Sequence, residues 1–251
     1  ERRPEYTKQL LPEVTGGHMD FSKHYDWMPK DQLWFKVDDD VVFIDDGVLE
    51  AMAEEMLKRR YLFVSANVVN HPLLAVVHRQ LGFMVPYIQG GDFEPWTRSP
   101  EWPDDSTTDT DLGKFVHCAW SSWTCAAQQH ENFLHQANNL ALGVYHFPLH
   151  DFHAMSENSR WSINFILLNT KNVVGYIDTT DDEQLMAVEF TTRWHRHSVA
   201  VGRAVVAHYA YYPQRAGLDT HTNIIARYRE LARRRCGFVL DESGNLWEPS
   251  N

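Results

Sequence analysis

The chain of 251 residues is short of cysteine, with three, and short of positive charge, with 23 Lys and Arg against 34 Asp and Glu. Cys118, Cys125 and Cys236 have no metal-type spacing and form no even disulfide framework, so a zinc-ribbon or disulfide-stapled scaffold is not expected. One disulfide stays open among them, and they do not fix the compartment. A net charge of −11 argues against an electrostatic grip on nucleic acid or an anionic membrane. The local basic runs Lys58–Arg60 and Arg233–Arg235 end helical stretches, where they complement the helix dipole. No apolar run approaches the roughly 18 residues of a membrane span. The opening ERRPEY has no leader pattern and reads as the interior of a longer sequence.

What is present is the balance of a globular protein, 43% apolar and 23% charged, enough for a sizeable core in a single domain over 1–251. Nine Trp and ten Tyr are many for this length and fit either buried indoles or aromatic platforms for sugars or bases. Gln32–Val37 and Val41–Ile44 read as strands. A helix follows Asp45-Asp46-Gly47, with Val48, Leu49, Met52, Met56 and Leu57 on one face. Tyr61–Ser65, Trp161–Leu168 and Val199–His208 read as further strands. An amphipathic helix is marked by Trp123, Ala126, Ala127, His130, Phe133, Leu134 and Ala137, and a last one spans roughly Thr222–Arg235. This alternation predicts an α/β layer architecture. Between them, 89–113 is rich in Pro, Gly and acids and predicts a long acidic loop or lid.

The chemistry concentrates at Asp38-Asp39-Asp40, between the apolar runs of KVDDDVVFI. Crowded carboxylates repel unless a proton or cation neutralises them, and hard oxygen ligands suit Mg²⁺ or Mn²⁺. On a strand, Asp38 and Asp40 would share a face. A solvated acidic turn or helix-capping acids would explain a bare triplet equally well, but the flanking KV and VVFI bury both sides of it and weigh against that reading. A second acidic group, Thr179-Thr-Asp-Asp-Glu-Gln184, opens a short helix, where N-cap chemistry competes with a general-base role. His208 closes an apolar strand, a position where histidines are commonly packed core residues. His150-Asp-Phe-His153 offers two ligands of an iron-type site, but no third.

The segments LPEVTGGHMDFSKHYD, KVDDDVVFI, VSANVVNHPLLAVVHRQLG, WSSWTCAAQQHENFL, RWSINFILL, DDEQ and VAHYAYYPQR, in that order, resemble fungal glycosyltransferase-like proteins of the GT-A fold. The resemblance implies a three-layer α/β/α sandwich with a mixed central sheet. It also implies transfer of a sugar from a UDP- or GDP-sugar donor to a hydroxyl acceptor on a glycan, protein or small molecule. Asp38 and Asp40 match the DxD motif that holds Mn²⁺ or Mg²⁺ on the donor diphosphate, with Asp39 between them as spacer or sugar contact. His208 matches the histidine that completes the metal site. Asp182, and after it Glu183, matches the acid that deprotonates the acceptor. Ser65 and Asn67 fall where a sugar is oriented, and Trp120, Trp123 and His130 fall near the acceptor; strand-end bonding and core packing compete at these five. Many relatives work in the Golgi or secretory lumen behind an anchor.

The chain departs from that family at its front. Only 37 residues precede Asp38, where a GT-A domain builds its nucleotide-binding half from about three βα units of roughly 30 residues. The expectation is an N-terminally incomplete domain. A degenerate, non-catalytic binding protein is the competing expectation, and a histidine-rich metal hydrolase or oxygenase the third.

Overall fold

A computed structural model describes Tyr25, 28–58, 60–82, 112–152, 160–176, 181–236, 239–240 and 246–247. The acidic stretch 89–113 lies outside these residues except for its last two, and so does His153. The molecule is α/β, as the alternation predicts, with a mixed open sheet.

Six strands form that sheet: β1 (Leu33–Val37), β2 (Val41–Ile44), β3 (Phe63–Val69), β4 (His150–Phe152), β5 (Phe165–Asn169) and β6 (Ser198–His208). The order is β1-β5-β3-β6-β2, with β4 also on β6. Only β3 and β6 run parallel; the other pairs are antiparallel. A separate ribbon pairs β7 (Val239–Leu240) with β8 (Leu246–Trp247). Because β1 and β2 are the ends of the path, Asp38–Asp40 carry the chain from one side of the sheet to the other. The triplet is pinned at both ends: the Asp38 N–H donates to the Asn164 carbonyl at 2.9 Å, and the Tyr209 N–H to the Asp40 carbonyl at 2.9 Å.

β3 and β6 are apolar on both faces, and their period of two divides them between two cores. Val68 and Val206 face one core, with Met52, Phe63, Trp161 and Phe190; Val69, Val205 and Ala207 face the other, with Phe133, Leu134 and Tyr228. Helix α1 (Val48–Met56) fills the first core. In the second lie α4 (Trp123–Asn138) and α8 (Ile224–Cys236), joined by Leu218 of α7 (Tyr212–His221). The remaining helices are α2 (Pro72–Gln80), α3 (Leu112–Ser121), α5 (Asp182–Gln184) and α6 (Phe190–Trp194), the last two joined by a π turn. On α1 the apolar stripe is narrower than the spacing predicts: Val48, Met52 and Met56 are buried, but Leu49 and Leu57 face outward.

The β3·β6 ladder is irregular. Ala66 pairs with Val201 but Asn67 with Val205, leaving Gly202, Arg203 and Ala204 without β3 partners. Asn67 closes the gap, its Nδ2 donating to the carbonyls of Gly202 and Tyr145, each at 2.9 Å. Gly202 is required there, since a Cβ would sit 2.0 Å from the Phe147 carbonyl oxygen. Gly217 plays the same part on α7, where a Cβ would meet Trp123 Cγ at 2.2 Å.

Candidate cation site

Asp38, Asp40 and His208 come together from opposite ends of the sequence, each offering a ligand atom within 4.8 Å of the others. The two acids do not share a face by strand period, as the triplet alone suggested. They sit in the turn between β1 and β2, closed by the Val41 N–H on the Asp38 carbonyl at 3.2 Å. Asp39 between them is exposed. His208, the last residue of β6, is placed beside Asp40 because it pairs with Val41, the first residue of β2.

Each acid is already in contact with side chains. Lys36 of β1, two residues upstream, reaches Asp38 Oδ1 at 2.5 Å, and Asn164 Nδ2 donates to Oδ2 at 3.0 Å. Asp40 Oδ1 accepts from His208 Nε2 at 3.0 Å, and Oδ2 from Arg215 at 2.6 Å. Burial pushes the Asp40 carboxyl upward, but the His208 hydrogen bond and the His208 and Arg215 charges outweigh it and hold the group below the usual carboxylate value. His208 is buried, and its Nδ1 has no hydrogen-bond partner among the described residues. That nitrogen is not the one that meets Asp40, which is Nε2. Two hard carboxylate oxygens and an imidazole form a donor set of the kind that holds a divalent cation.

The second acidic group lies beside the first through the extended segment 161–164. Trp161 and Ile163 turn into the core, leaving Ser162 and Asn164 for polar work. Ser162 Oγ donates to Glu183 Oε2 at 3.0 Å, while Asn164 holds Asp38. The Tyr211 hydroxyl donates to Asn164 Oδ1 at 2.8 Å. Burial, and then the charges of Glu183, Asp38 and Asp40, push that hydroxyl far above its ordinary value despite an opposing Ser162 contact, so it stays a donor. Arg160 grips Asp181 at 2.6 and 2.8 Å and Glu183 at 2.6 Å. Asp181 is the N-cap of α5, accepting from the Gln184 N–H at 2.9 Å. Asp182 is buried and accepts from the Tyr25 hydroxyl at 2.8 Å.

The five residues expected at the substrate divide. Trp120 is 42% exposed and lies against Tyr211, ring centres 4.5 Å apart, which places an accessible indole one ring from Asn164 and the acids. It sits within the loop closed by the Cys118–Cys125 disulfide, across the α3–α4 corner. The other four serve the core. Ser65 is buried and accepts from the Trp161 indole at 3.0 Å. Asn67 closes the β6 irregularity, and its Oδ1 accepts from His78 at 2.7 Å. Trp123 packs under Gly217 and lies against His221, the tilted rings 4.9 Å apart at their centres. His130 is buried between Tyr228 and the Tyr209 carbonyl, and burial pushes its imidazole down to about 4, keeping it neutral. His150 is exposed on β4, 6.4 Å from the Trp161 ring centre.

No protein-family model, curated protein or solved structure matches the chain. Its site therefore stands on its own geometry. Among the described residues Asp38, Asp40 and His208 form the one cluster suited to a metal ion, and no helix is long and apolar enough to cross a membrane. Sequence reasoning missed Lys36, Asn164, Tyr211, Arg215, Arg160 and Tyr25. Lys36 carried a signal, its place two residues before Asp38; the others depend on contacts from distant segments.

Proposed function

We propose that the chain is a metal-dependent glycosyltransferase that moves a sugar from a UDP- or GDP-sugar to a hydroxyl acceptor. The observation that carries this reading is the meeting of Asp38, Asp40 and His208 beside a second acidic group at Asp182 and Glu183. Asp38, Asp40 and His208 would hold Mn²⁺ or Mg²⁺, which when bound supplies neutralisation of the leaving diphosphate. Asn164 and Tyr211 fix the Asp38 carboxylate, and Lys36 pairs with it. Asp182 is the better general base of the two acids. Glu183 is committed to Arg160, Ser162 and the Ile163 N–H, whereas the bond shown at Asp182 is to one phenol, which an acceptor hydroxyl can replace. Trp120 offers the exposed ring for stacking on a sugar.

A second reading has one observation in its favour: both DxD carboxylates already hold side-chain cations, as expected where a non-catalytic relative keeps the acids as a closed ion-pair network. Calorimetry of UDP- and GDP-sugars with and without Mn²⁺ separates the two. The transferase reading expects binding of one donor that appears with Mn²⁺ and vanishes with excess chelator. Absence of metal-dependent binding with either class rejects it.

A further inference from the structure

Asp38 and Asp40 bring two negative charges and Lys36 and Arg215 two positive ones, so the four side chains balance among themselves. A divalent cation joining them would leave a surplus of two positive charges in a half-buried place, which is costly unless a cation leaves or an anion enters. The two basic residues differ in their freedom to respond. The Lys36 side chain is 22% exposed and is tied by a second bond to the Ile163 carbonyl at 3.1 Å. Arg215 is 48% exposed, and its guanidinium lies over the Tyr209 ring at 5.4 Å, beside the site but not enclosed in it.

We propose that Arg215 and a divalent cation compete for Asp40 Oδ2, and that the guanidinium so displaced becomes the binding group for an anion of the diphosphate class entering with the cation. The inference rests on the cation site of the proposed function. A guanidinium fork matches phosphate oxygens as well as it matches a carboxylate, so the arginine exchanges one anionic partner for another at little cost. Tyr209 gives the Arg215 guanidinium a ring to rest on during the exchange. The result is coupling: the bare cation binds weakly because it must expel Arg215, and the cation with its anion binds well because Arg215 is re-employed. Such coupling is reciprocal between the two ligands.

The test uses the full chain with two probes, Mn²⁺ alone and the pre-formed one-to-one complex of Mn²⁺ with inorganic diphosphate. In Arg215→Gln, bare Mn²⁺ is expected to bind about two- to fivefold tighter and the complex about two- to fivefold weaker, the scale of a partly exposed charge contact. Shifts in the same direction, or no shift in either, overturn the proposal. Asp40→Asn distinguishes this failure from a deeper one. If Asp40→Asn loses Mn²⁺ while Arg215→Gln behaves as wild type, the exchange is wrong and the cation site stands. If wild type binds neither probe, or Asp40→Asn binds Mn²⁺ unchanged, both readings fall.

Discussion

Asp40→Asn is expected to lose Mn²⁺ affinity by more than about 100-fold, and metal-dependent transfer with it, while the protein stays folded. The magnitude follows from direct ligation, since removing even the outer partners of a metal ligand costs roughly 10–100-fold. Asp40 is the residue on which the site converges: one oxygen takes His208, the other Arg215, and together they keep its carboxyl ionised against the effect of burial. Asparagine keeps the shape and the backbone carbonyl that Tyr209 uses, but removes the charge. The fold should tolerate the change, because Arg215 is half-exposed and an exposed ion pair contributes only about 0–1 kcal/mol. Mn²⁺ titration with far-ultraviolet circular dichroism on the same sample checks both halves. Unchanged Mn²⁺ affinity in a folded variant would remove Asp40 from the site.

The second large effect concerns the frame. Gly202→Ala is expected to destabilise the protein by about 3 kcal/mol or more, at or beyond the upper end for overpacking, because the clash is with a backbone carbonyl that no rotamer change relieves. The added Cβ would lie 2.0 Å from the Phe147 oxygen and 2.6 Å from its ring. Relief would have to move β6 away from the segment before β4, and with it the irregularity that Asn67 closes. His208 ends that same strand, so a variant that survives should also bind Mn²⁺ poorly. Gly143→Ala is the control: nothing lies within 4 Å of its Cβ position, and a change within about 0.5 kcal/mol is expected. Urea unfolding of the two variants measures both. Equal midpoints would show that the strand accommodates a side chain at Gly202.

Much of the frame was legible in the sequence because β1, β2, α4 and β6 declare themselves by periodicity. Val41–Ile44 lies where the pattern of apolar residues puts it, and so does helix α4. That helix is, however, buried all round from Cys125 to Leu134, Gln128, Gln129, Glu131 and Asn132 included, and not on one apolar face. Where the reading failed, the cause was tertiary. Leu49 and Leu57 have the helical spacing of buried residues but stand exposed, uncovered by neighbours among the described residues. Tyr61–Ser65 became a strand of Phe63–Val69, since pairing with β6 extends it through polar Asn67 after β5 has ended at Ser65. Helix α7 was missed: its first turn holds Pro213, and Gly217, which looks like a breaker, is the contact that admits Trp123.

The site was legible in the same uneven way. The acids, and the histidine far downstream, could be named because carboxylate clusters and strand-end histidines stand out among apolar runs. Their immediate partners could not. Asn164 is an ordinary residue before an apolar strand until Asp38 is folded onto it, and Arg215 is one of many arginines until α7 turns it toward Asp40. Conversely His130 looked accessible to a substrate only because a sequence does not show Tyr228 closing over it.

The central claim is that Asp38, Asp40 and His208 act together as ligands of one cation. The most direct measurement is electron spin echo envelope modulation on Mn²⁺ bound to the full chain, which detects a nitrogen nucleus coordinated to the ion. A directly bound imidazole nitrogen is predicted in wild type, and its loss in His208→Asn. Mn²⁺ bound without a nitrogen ligand, or with the same nitrogen signal in His208→Asn, would contradict the account.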